Sequence, residues 1–400
     1  MGWLGLDDTD SLKGGCTTEV LYRLIQSLPQ HVGVGQARLV RLWPFARRRT
    51  RGNAAVAVEL TTTDEPALLE FLDEYWFNHL LPLKGTVEVS EHSEREQYPS
   101  DPGMVWFTDK INDEEFYRRG LREEVFLETL PIPTQSWGGH GRIGATLAVL
   151  WPAERTTFEA IAWRESTNES PRQLDQKAMT LIEEMAESFL CRDDRLGTSM
   201  LAPRGASPVL FGIRTWTLDA ANEALKLLVN APGTEETSGS MVFETNHATN
   251  DHLDEPIEFC VEKVEILKGG HTLIHTDKHR FVAFKESGEI AKICQQLQPN
   301  DILECNGLMS PDHSIHIEVL RIRHLVADQN RPSCPTCQKA LSSMGANQGL
   351  RCKKCGFKSE DEWVETHRDL PVNQWIQPPA SSRRHLAKPL DESPAVQNNL

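Results

Sequence analysis

Near the start of the chain, "GLDDTDSLKGGCTT" (residues 5–18) places Asp7, Asp8 and Asp10 straight after a short apolar run. Carboxylates at the C-terminal end of a strand hold hard cations, and Mg2+ needs only one or two of them plus phosphate oxygens. Gly14 and Gly15 let backbone approach a nucleotide closely, and a helix starting near Thr17 points its positive end at an anion. Thr17 or Thr18 can also be a plain helix cap, and one threonine can serve both purposes. The stretch therefore reads as metal–phosphate chemistry. It is not the D-x-D-x-T/V loop of haloacid-dehalogenase-type phosphotransferases, because Leu12 stands where Thr or Val is needed. No Walker-type G-x-x-x-x-G-K-[ST] occurs either.

A second chemistry lies in "CPTCQKALSSMGANQGLRCKKC". Cys334, Cys337, Cys352 and Cys355 form two C-x2-C knuckles separated by fourteen residues, the pattern of a closed, structural tetrahedral Zn2+ site. From Arg331 to Lys358 the bases include Lys339, Arg351, Lys353 and Lys354, with no acid among them. In a chain of net charge -16, that suits contact with a phosphate backbone. A second basic island, "RLWPFARRRTRGN", carries Arg41, Arg47, Arg48, Arg49 and Arg51 and ends in Gly52-Asn53. It joins two strands of the aspartate region and suits a loop that reaches a phosphate. "HGRIGA" (His140, Gly141, Arg142) and "ETNHATNDHL" (Thr245, Asn246, Asp251) are polar stretches beside apolar runs, either pocket-building loops or ordinary turns.

The elements that must position these groups alternate. Residues 3–7 read as a strand, "TTEVLYRLIQSL" as an amphipathic helix, "ARLVRLW" and "NAAVAVELT" as strands, and "EPALLEFLDEYWFNHLL" as a helix. After the break "LPIPTQSWGGHG", a second α+β block holds the strands "FEAIAWR" and "SPVLFGIRT" and the helices "QLDQKAMTLIEEMAESFL" and "LDAANEALKLLV". From Pro256 short β runs take over, spaced as in a barrel of about five strands the size of an OB-fold. The chain is 39% hydrophobic and 25% charged, with no run long enough for a membrane helix and no signal-peptide pattern. A cytoplasmic, multidomain α+β protein is expected, with no membrane partner.

The order of motifs is similar to that of one family, the archaeal tRNA-Ile 2-agmatinylcytidine synthetases (TiaS). The resemblance rests on "GLDDTDS-GGCTT", "RTRGN", "DPGMVWF", "HGRIGA", "SPVLFGIR", "TNHATNDHL", the zinc ribbon and the C-terminal "SSRRHLAKPL", in that order over almost the whole chain. It implies a kinase-like ATP-binding catalytic domain at residues 1–135, a ferredoxin-like α+β domain at 136–254, an OB-fold RNA-binding barrel at 255–328, a zinc ribbon at 329–362 and a tail at 363–400. It also implies an ATP-dependent ligase that joins agmatine to C2 of the wobble cytidine of the AUA-reading tRNA-Ile. The C2 oxygen is phosphorylated first, and AMP and phosphate are released. Carried over, Asp7, Asp8 and Asp10 hold Mg2+–ATP, and Gly14, Gly15, Arg49, Arg51 and Asn53 touch the nucleotide phosphates. Thr17 or Thr18, with Thr18 preferred, becomes phosphorylated. His140, Gly141, Arg142, Thr245, Asn246 and Asp251 surround agmatine, while Lys339, Arg351, Lys353, Lys354, Arg383 and Arg384 track the tRNA. Two rivals remain open at this point, a non-enzymatic nucleic-acid-binding protein and a small-molecule phosphotransferase.

Overall fold

A computed structural model describes residues 1–10, 14–49, 52–85, 90–92, 95–109, 111, 113–165, 170–203, 205, 207–345, 348–360 and 364–390. Arg51, one of the expected phosphate ligands, lies outside these residues. The chain divides into two compact units, Met1–Leu253 with Pro379–Leu400, and Asp254–Pro378.

The first unit is organised by one eight-stranded sheet. Its strands are β1 (Gly2–Asp7), β2 (Gly33–Arg41), β3 (Ala54–Thr61), β4 (Gly103–Phe107), β5 (Gln135–Gly138), β6 (Thr157–Trp163), β7 (Val209–Thr215) and β8 (Gly239–Thr245). They lie in the order β7-β6-β8-β2-β3-β1-β4-β5. All neighbours are antiparallel except β8 and β2, which run parallel with Glu244 opposite Arg38 and Thr245 opposite Leu39. Central strands such as β3, "AAVAVELT", are apolar on both faces because both faces are covered.

Helices on the two faces build separate cores. One core joins Leu21 and Leu24 of α1 (Thr17–Ser27) and Leu68 and Leu72 of α2 (Glu65–Tyr75) to Leu4, Leu6, Val56 and Val58. On the opposite face, Leu147 and Ala148 of α4 (Arg142–Leu150) pack with Ala55, Ala57 and Val105, beside Phe116 and Tyr117 of α3 (Glu114–Gly120). Beyond the parallel seam, α5 (Gln176–Glu183) and α6 (Leu218–Val229) cover β6 and β7. Several helices begin at the side-chain caps their sequences announce: Asp64 accepts from Ala67 N–H, Asp113 from Phe116 N–H and Thr217 from Ala220 N–H.

The second unit holds β9 (Ile257–Cys260), β10 (Lys263–Ile266), β11 (Thr272–His275), β12 (Arg280–Ala283), β13 (Ile302–Met309) and β14 (Ser314–His324), ordered β9-β13-β14-β12-β11-β10. A six-residue helix, α7 (Glu289–Cys294), lies between β12 and β13 and buries Ile290 and Ile293 against Phe281, Leu303 and Leu320. Trp375–Ile376 adds a short strand to β14. In the cysteine region a three-stranded ladder (Ser342–Ser343, Leu350–Arg351, Lys358–Ser359) carries the small core of Cys334, Leu341, Leu350 and Cys352.

Three features differ from the sequence reading. The expected boundary between residues 135 and 136 does not separate compact units: the "LPIP" break leads directly into β5, and α4 packs on β1, β3 and β4. The helix expected over residues 173–190 spans only Gln176–Glu183. It starts where Asp175 accepts from Lys177 and Ala178 N–H and is over before Leu190, which adopts a positive φ of 50°. The tail splits between the units, and Pro379 onward returns to the first. Among the described residues no helix is long and apolar enough to cross a membrane.

One close backbone approach in the first unit is testable. A Cβ on Gly5 would lie 2.2 Å from Ala145 O and 2.8 Å from its carbonyl carbon, so only glycine lets α4 seat on β1. Gly5→Ala is expected to cost about 1–3 kcal/mol in chemical denaturation, with unfolding of the second unit unaffected. A wild-type midpoint for both transitions would show that α4 is not held by this contact.

Candidate active site

The aspartate loop is bent by its own backbone. Asp7 ends β1, and Asp8 adopts φ 57°, which turns its carboxylate toward β4. There Asp101 N–H donates to Asp8 Oδ2 at 3.1 Å. The Asp101 carboxylate accepts from His140 N–H at 2.8 Å and pairs with Lys84 Nζ at 2.9 Å. These two partners outweigh burial and hold Asp101 below its usual carboxylate range. Asp7 and Asp8 behave in the opposite way. Burial, reinforced by the charge of Asp8, pushes Asp7 well above the usual range. Burial also raises Asp8 to about 7, against the pull of Asp101 N–H and Arg48. Helix α4 adds to the crowding, since a Cβ on Gly144 would sit 1.9 Å from Asp7 Oδ2. Carboxylates this crowded are a hard, all-oxygen donor set whose repulsion a divalent cation relieves.

Gly15 (φ 84°) turns the chain back, and Thr9 Oγ1 donates to Thr17 Oγ1 at 3.1 Å, tying the loop to the start of α1. Thr18 Oγ1 accepts from Trp163 Nε1 at 3.2 Å and lies 2.9 Å from Cys16 Sγ. Cys16, the N-cap of α1, makes no side-chain capping bond. The first-turn N–H groups of α1 therefore have no cap from that side chain.

Two clefts meet at this loop. The first is lined by Asp7, Asp8, Asp10, Arg48, Arg49, Asn53 and His140 and walled by Leu42, Trp43, Val125 and Leu147. Burial and then Arg48 push His140 down to about 4, so its imidazole is neutral at pH 7. Asn53 takes φ 43° and donates to Trp43 O at 2.6 Å, fixing the end of the arginine loop. The second cleft is lined by Thr17, Thr18, Arg41, Glu159, Arg214 and His385, with Met200, Leu201 and Pro203. Asp10, Asn53 and Ala54 line both.

Charge in the second cleft is internally matched. Arg41 Nη2 donates to Glu159 Oε2 at 3.0 Å, Arg214 Nε stands 4.0 Å from Oε1, and His247 Nδ1 stands 3.6 Å from Oε2. Burial opposes ionisation of Glu159, but Arg41, His247 and Arg214 together hold it well below the usual range. Arg41 and then burial push His385 well below its ordinary value.

The structure thus brings together Asp7, Asp8, Asp10, Arg49, Asn53 and His140 in one cleft and Thr17 and Thr18 in the other. Thr245, Asn246 and Asp251 are placed elsewhere. Thr245 and Asn246 are fully buried, and Asn246 clamps the Arg41 backbone with bonds of 2.8 and 3.0 Å while donating to Tyr117 OH at 2.8 Å. Tyr117 OH in turn donates to Asp251 Oδ2 at 3.0 Å. These side chains brace the site from behind, because their polar atoms are spent on the fold. Gly141 is likewise architectural, with a would-be Cβ 2.4 Å from Asp7 O, and Arg142 Nε donates to Gly139 O at 3.2 Å. Sequence reading does not single out Glu159, Arg214, His385 and Asp101 as site residues. For the first two, the available signal is a lone charge within each of two otherwise apolar strands, "TFEAIAW" and "VLFGIRT", since buried charges are kept only when paired.

The four cysteine sulfurs lie within 4.8 Å of one another, and Lys339, Arg351, Lys353 and Lys354 around them are exposed. Arg383 and Arg384 belong instead to the first unit, where Arg384 lies 4.6 Å over the Phe45 ring.

Residues 3–65 match the TiaS TCKD domain, 139–252 the TiaS FLD domain and 331–370 the TiaS C-terminal zinc ribbon domain. The chain is 30% identical to the tRNA-Ile 2-agmatinylcytidine synthetase TiaS of Pyrobaculum neutrophilum, over 99% of this chain and 96% of that one. With the Archaeoglobus fulgidus protein of the same name it is 28% identical over 97% and 96%. A solved complex of TiaS with its isoleucine tRNA and ATP superposes with a TM-score of 0.79 at 26% identity, covering 97% of this chain and 96% of that one.

His247 gives the site a pH signature. It is 2% exposed, and burial holds it down at about 4, against an opposite pull from Glu159. A histidine whose folded value lies below its unfolded value stabilises the fold above about pH 6.5. That contribution fades as pH falls toward 4, by on the order of 3 kcal/mol in all. Glu159, also held low, loses its contribution only below its ordinary range near 4.5. Urea denaturation between pH 7 and 5 is therefore expected to show a steeper loss for the wild type than for His247→Asn. Parallel profiles would mean that His247 does not gain a proton on unfolding.

Proposed function

The chain belongs to the tRNA-Ile 2-agmatinylcytidine synthetase (TiaS) family, and from that premise we infer that it joins agmatine to the wobble cytidine of the AUA-reading tRNA-Ile in an ATP-dependent reaction. The observation that carries the reading is the meeting of two clefts at Asp10, one crowded with carboxylates and the other holding two threonine hydroxyls. ATP enters the first cleft, its adenine against Leu42, Trp43, Val125 and Leu147 and its phosphates toward Arg48, Arg49 and Asn53. Asp7, Asp8 and Asp10 would hold Mg2+, which neutralises charge on the phosphate oxygens. The cytidine and agmatine occupy the second cleft.

An amide-like C2 carbonyl is a poor electrophile. In this reading the C2 oxygen attacks a phosphorus of ATP, forming C2–O–P as the bond to the nucleotide leaving group breaks. The primary amine of agmatine then adds to C2 and gives up a proton, and the C2–O bond breaks to release inorganic phosphate. Two phosphoryl groups separate ATP from AMP. The second passes from the remaining ADP to Thr18 Oγ1 as AMP leaves and the hydroxyl proton is lost to solvent. Water then releases it from the threonine as inorganic phosphate. That oxygen is fixed by the Trp163 N–H, and Thr18 lines the cleft. Positioning and charge neutralisation supply most of the rate. Arg41 and Arg214, held by Glu159, present cationic groups that need no rearrangement during the reaction.

The finer architecture follows the same reading. β1 to β4 with α1 to α3, in residues 1–135, are the kinase-like part, and α4 and β6 to β8 with α5 and α6, in residues 136–254, the ferredoxin-like part. β9 to β14 with α7 between the fourth and fifth strands form an OB-fold. Cys334, Cys337, Cys352 and Cys355 would hold a structural Zn2+ as a closed four-thiolate set, and the bases around it, with Arg383 and Arg384, contact tRNA.

Incubation of the protein with tRNA-Ile transcript, ATP, Mg2+ and agmatine should leave a nuclease digest with a cytidine heavier by agmatine minus water. Asp8→Asn should abolish this product while tRNA binding persists, and Thr18→Ala should remove the protein-bound phosphate that Thr17→Ala retains. ATP turnover without tRNA would favour the small-molecule phosphotransferase instead. Chelation of one zinc per chain should weaken tRNA binding with ATP binding intact, and equal tRNA affinity of the stripped protein would refute the ribbon's role.

A further inference from the structure

A third cavity lies in the first unit and shares no residue with the other two. It is lined by Arg155, Thr156, Thr157, Trp216, Thr249 and Lys388, together with Ala248. Among the described residues no acid lines it, although acids exceed bases by sixteen in the chain. Trp216 presents an indole backed by Phe189, the rings stacked at 4.2 Å, so the platform cannot tilt freely. Arg155 Nη1 donates to Thr249 O at 3.4 Å, which holds its guanidinium along the rim. Lys388 N–H donates to Asn250 Oδ1 at 2.7 Å, which fixes the backbone that carries the ammonium.

The position of the cavity follows from the sheet. Glu159 of β6 stands opposite Arg214 of β7, and both line the second cleft. Thr157 is two residues before Glu159 and Trp216 two residues after Arg214, so the same face of the same strand pair runs from that cleft into this cavity within one side-chain repeat, about 7 Å. The partition is His247, edge-on to Phe189 on one side and to His385 on the other. The C-terminal segment threads the same partition. His385 O accepts from Ala248 N–H at 2.8 Å, placing His385 in the second cleft and Lys388 in the third cavity.

We propose that this cavity seats a nucleotide adjacent in the RNA chain to the one that reacts, its base on Trp216 and its phosphate between Arg155 and Lys388. An aromatic face beside two cations is the chemistry of single-stranded nucleic-acid recognition, where stacking tolerates any base and the cations take the backbone. The proposal rests on the assignment of an RNA substrate to the second cleft. It adds a function for the cavity: a base drawn into the reactive cleft leaves its neighbour unstacked, and Trp216 replaces the lost stacking partner.

The test is tRNA-Ile binding and turnover by the full-length protein. Arg155→Ala/Lys388→Ala should raise the KM for tRNA about fivefold or more with the KM for ATP unchanged, and should lower the salt-dependence slope of tRNA binding by about 0.7 for one lost phosphate contact. Trp216→Ala should raise the same KM, and Trp216→Phe should restore most of it, which separates stacking from simple damage to the Phe189 contact. An unchanged KM and salt slope in the double variant would overturn the proposal. So would competition by AMP or CMP at the Trp216 site without effect on tRNA affinity, which would make the cavity a free-nucleotide site. Because the salt slope is read from binding alone, it remains informative if agmatine transfer itself is not observed, so failure of the two readings can be told apart.

Discussion

Everything in the first unit hangs on two residues of parallel pairing. Between β2 and β8 the ladder is only Glu244 opposite Arg38 and Thr245 opposite Leu39, yet it joins strands separated by two hundred residues into one sheet. So short a ladder is weak by itself, and side chains reinforce it on both sides. Arg38 pairs with Glu244 at 3.4 Å and lies 4.0 Å over the Trp3 ring, and Asn246 continues the pairing by imitating a backbone partner for Arg41. Arg41 reaches across the seam to Glu159 at 3.0 Å. The second cleft exists because the seam closes there, with threonines from one side and Glu159 and Arg214 from the other.

The two clefts differ in how their charges are balanced. Glu159 is ionised and satisfied by two guanidiniums, so the second cleft is pre-formed and changes little when something binds. Asp7 and Asp8 have no such partners in sufficient strength, and burial makes their ionised carboxylates costly until a proton or a cation relieves them. This division suits phosphoryl transfer. The side that receives a metal–nucleotide is frustrated until loaded, and the side that must orient an acceptor is rigid beforehand.

Local signals in the sequence were readable wherever one segment carried the whole message. The aspartate loop, the cysteine knuckles, the helices α2 and α6 and the short β runs of the second unit are each legible within one segment of the chain. Positions set by distant partners were not. Nothing local distinguishes Asn246 as a clamp on Arg41 from Asn246 as a pocket residue, because polar, histidine-rich loops look alike in either role. The same limit hid Glu159 and Arg214, whose meaning lies in each other and in Arg41. It also hid the continuity of the sheet across residue 135, since a proline-rich stretch between a helical turn and a strand reads like a linker. The length of α5 was overestimated because an amphipathic pattern persists past the point where the backbone leaves the helix.

The discontinuity of the first unit has a consequence in time. Residues 254–378 are an insertion between the strands of that unit and the segment from Pro379 that carries His385 and Lys388. A chain made from its N-terminus has all eight strands of the sheet in hand long before that segment emerges, and domains fold as they appear. The second unit must therefore be synthesised while the first waits with one wall of its cleft missing. A nascent chain at that stage holds an assembled sheet and an open site, and it becomes competent only when the last strap is laid down. Ligand binding to this species would report whether the strap completes the site or merely decorates it.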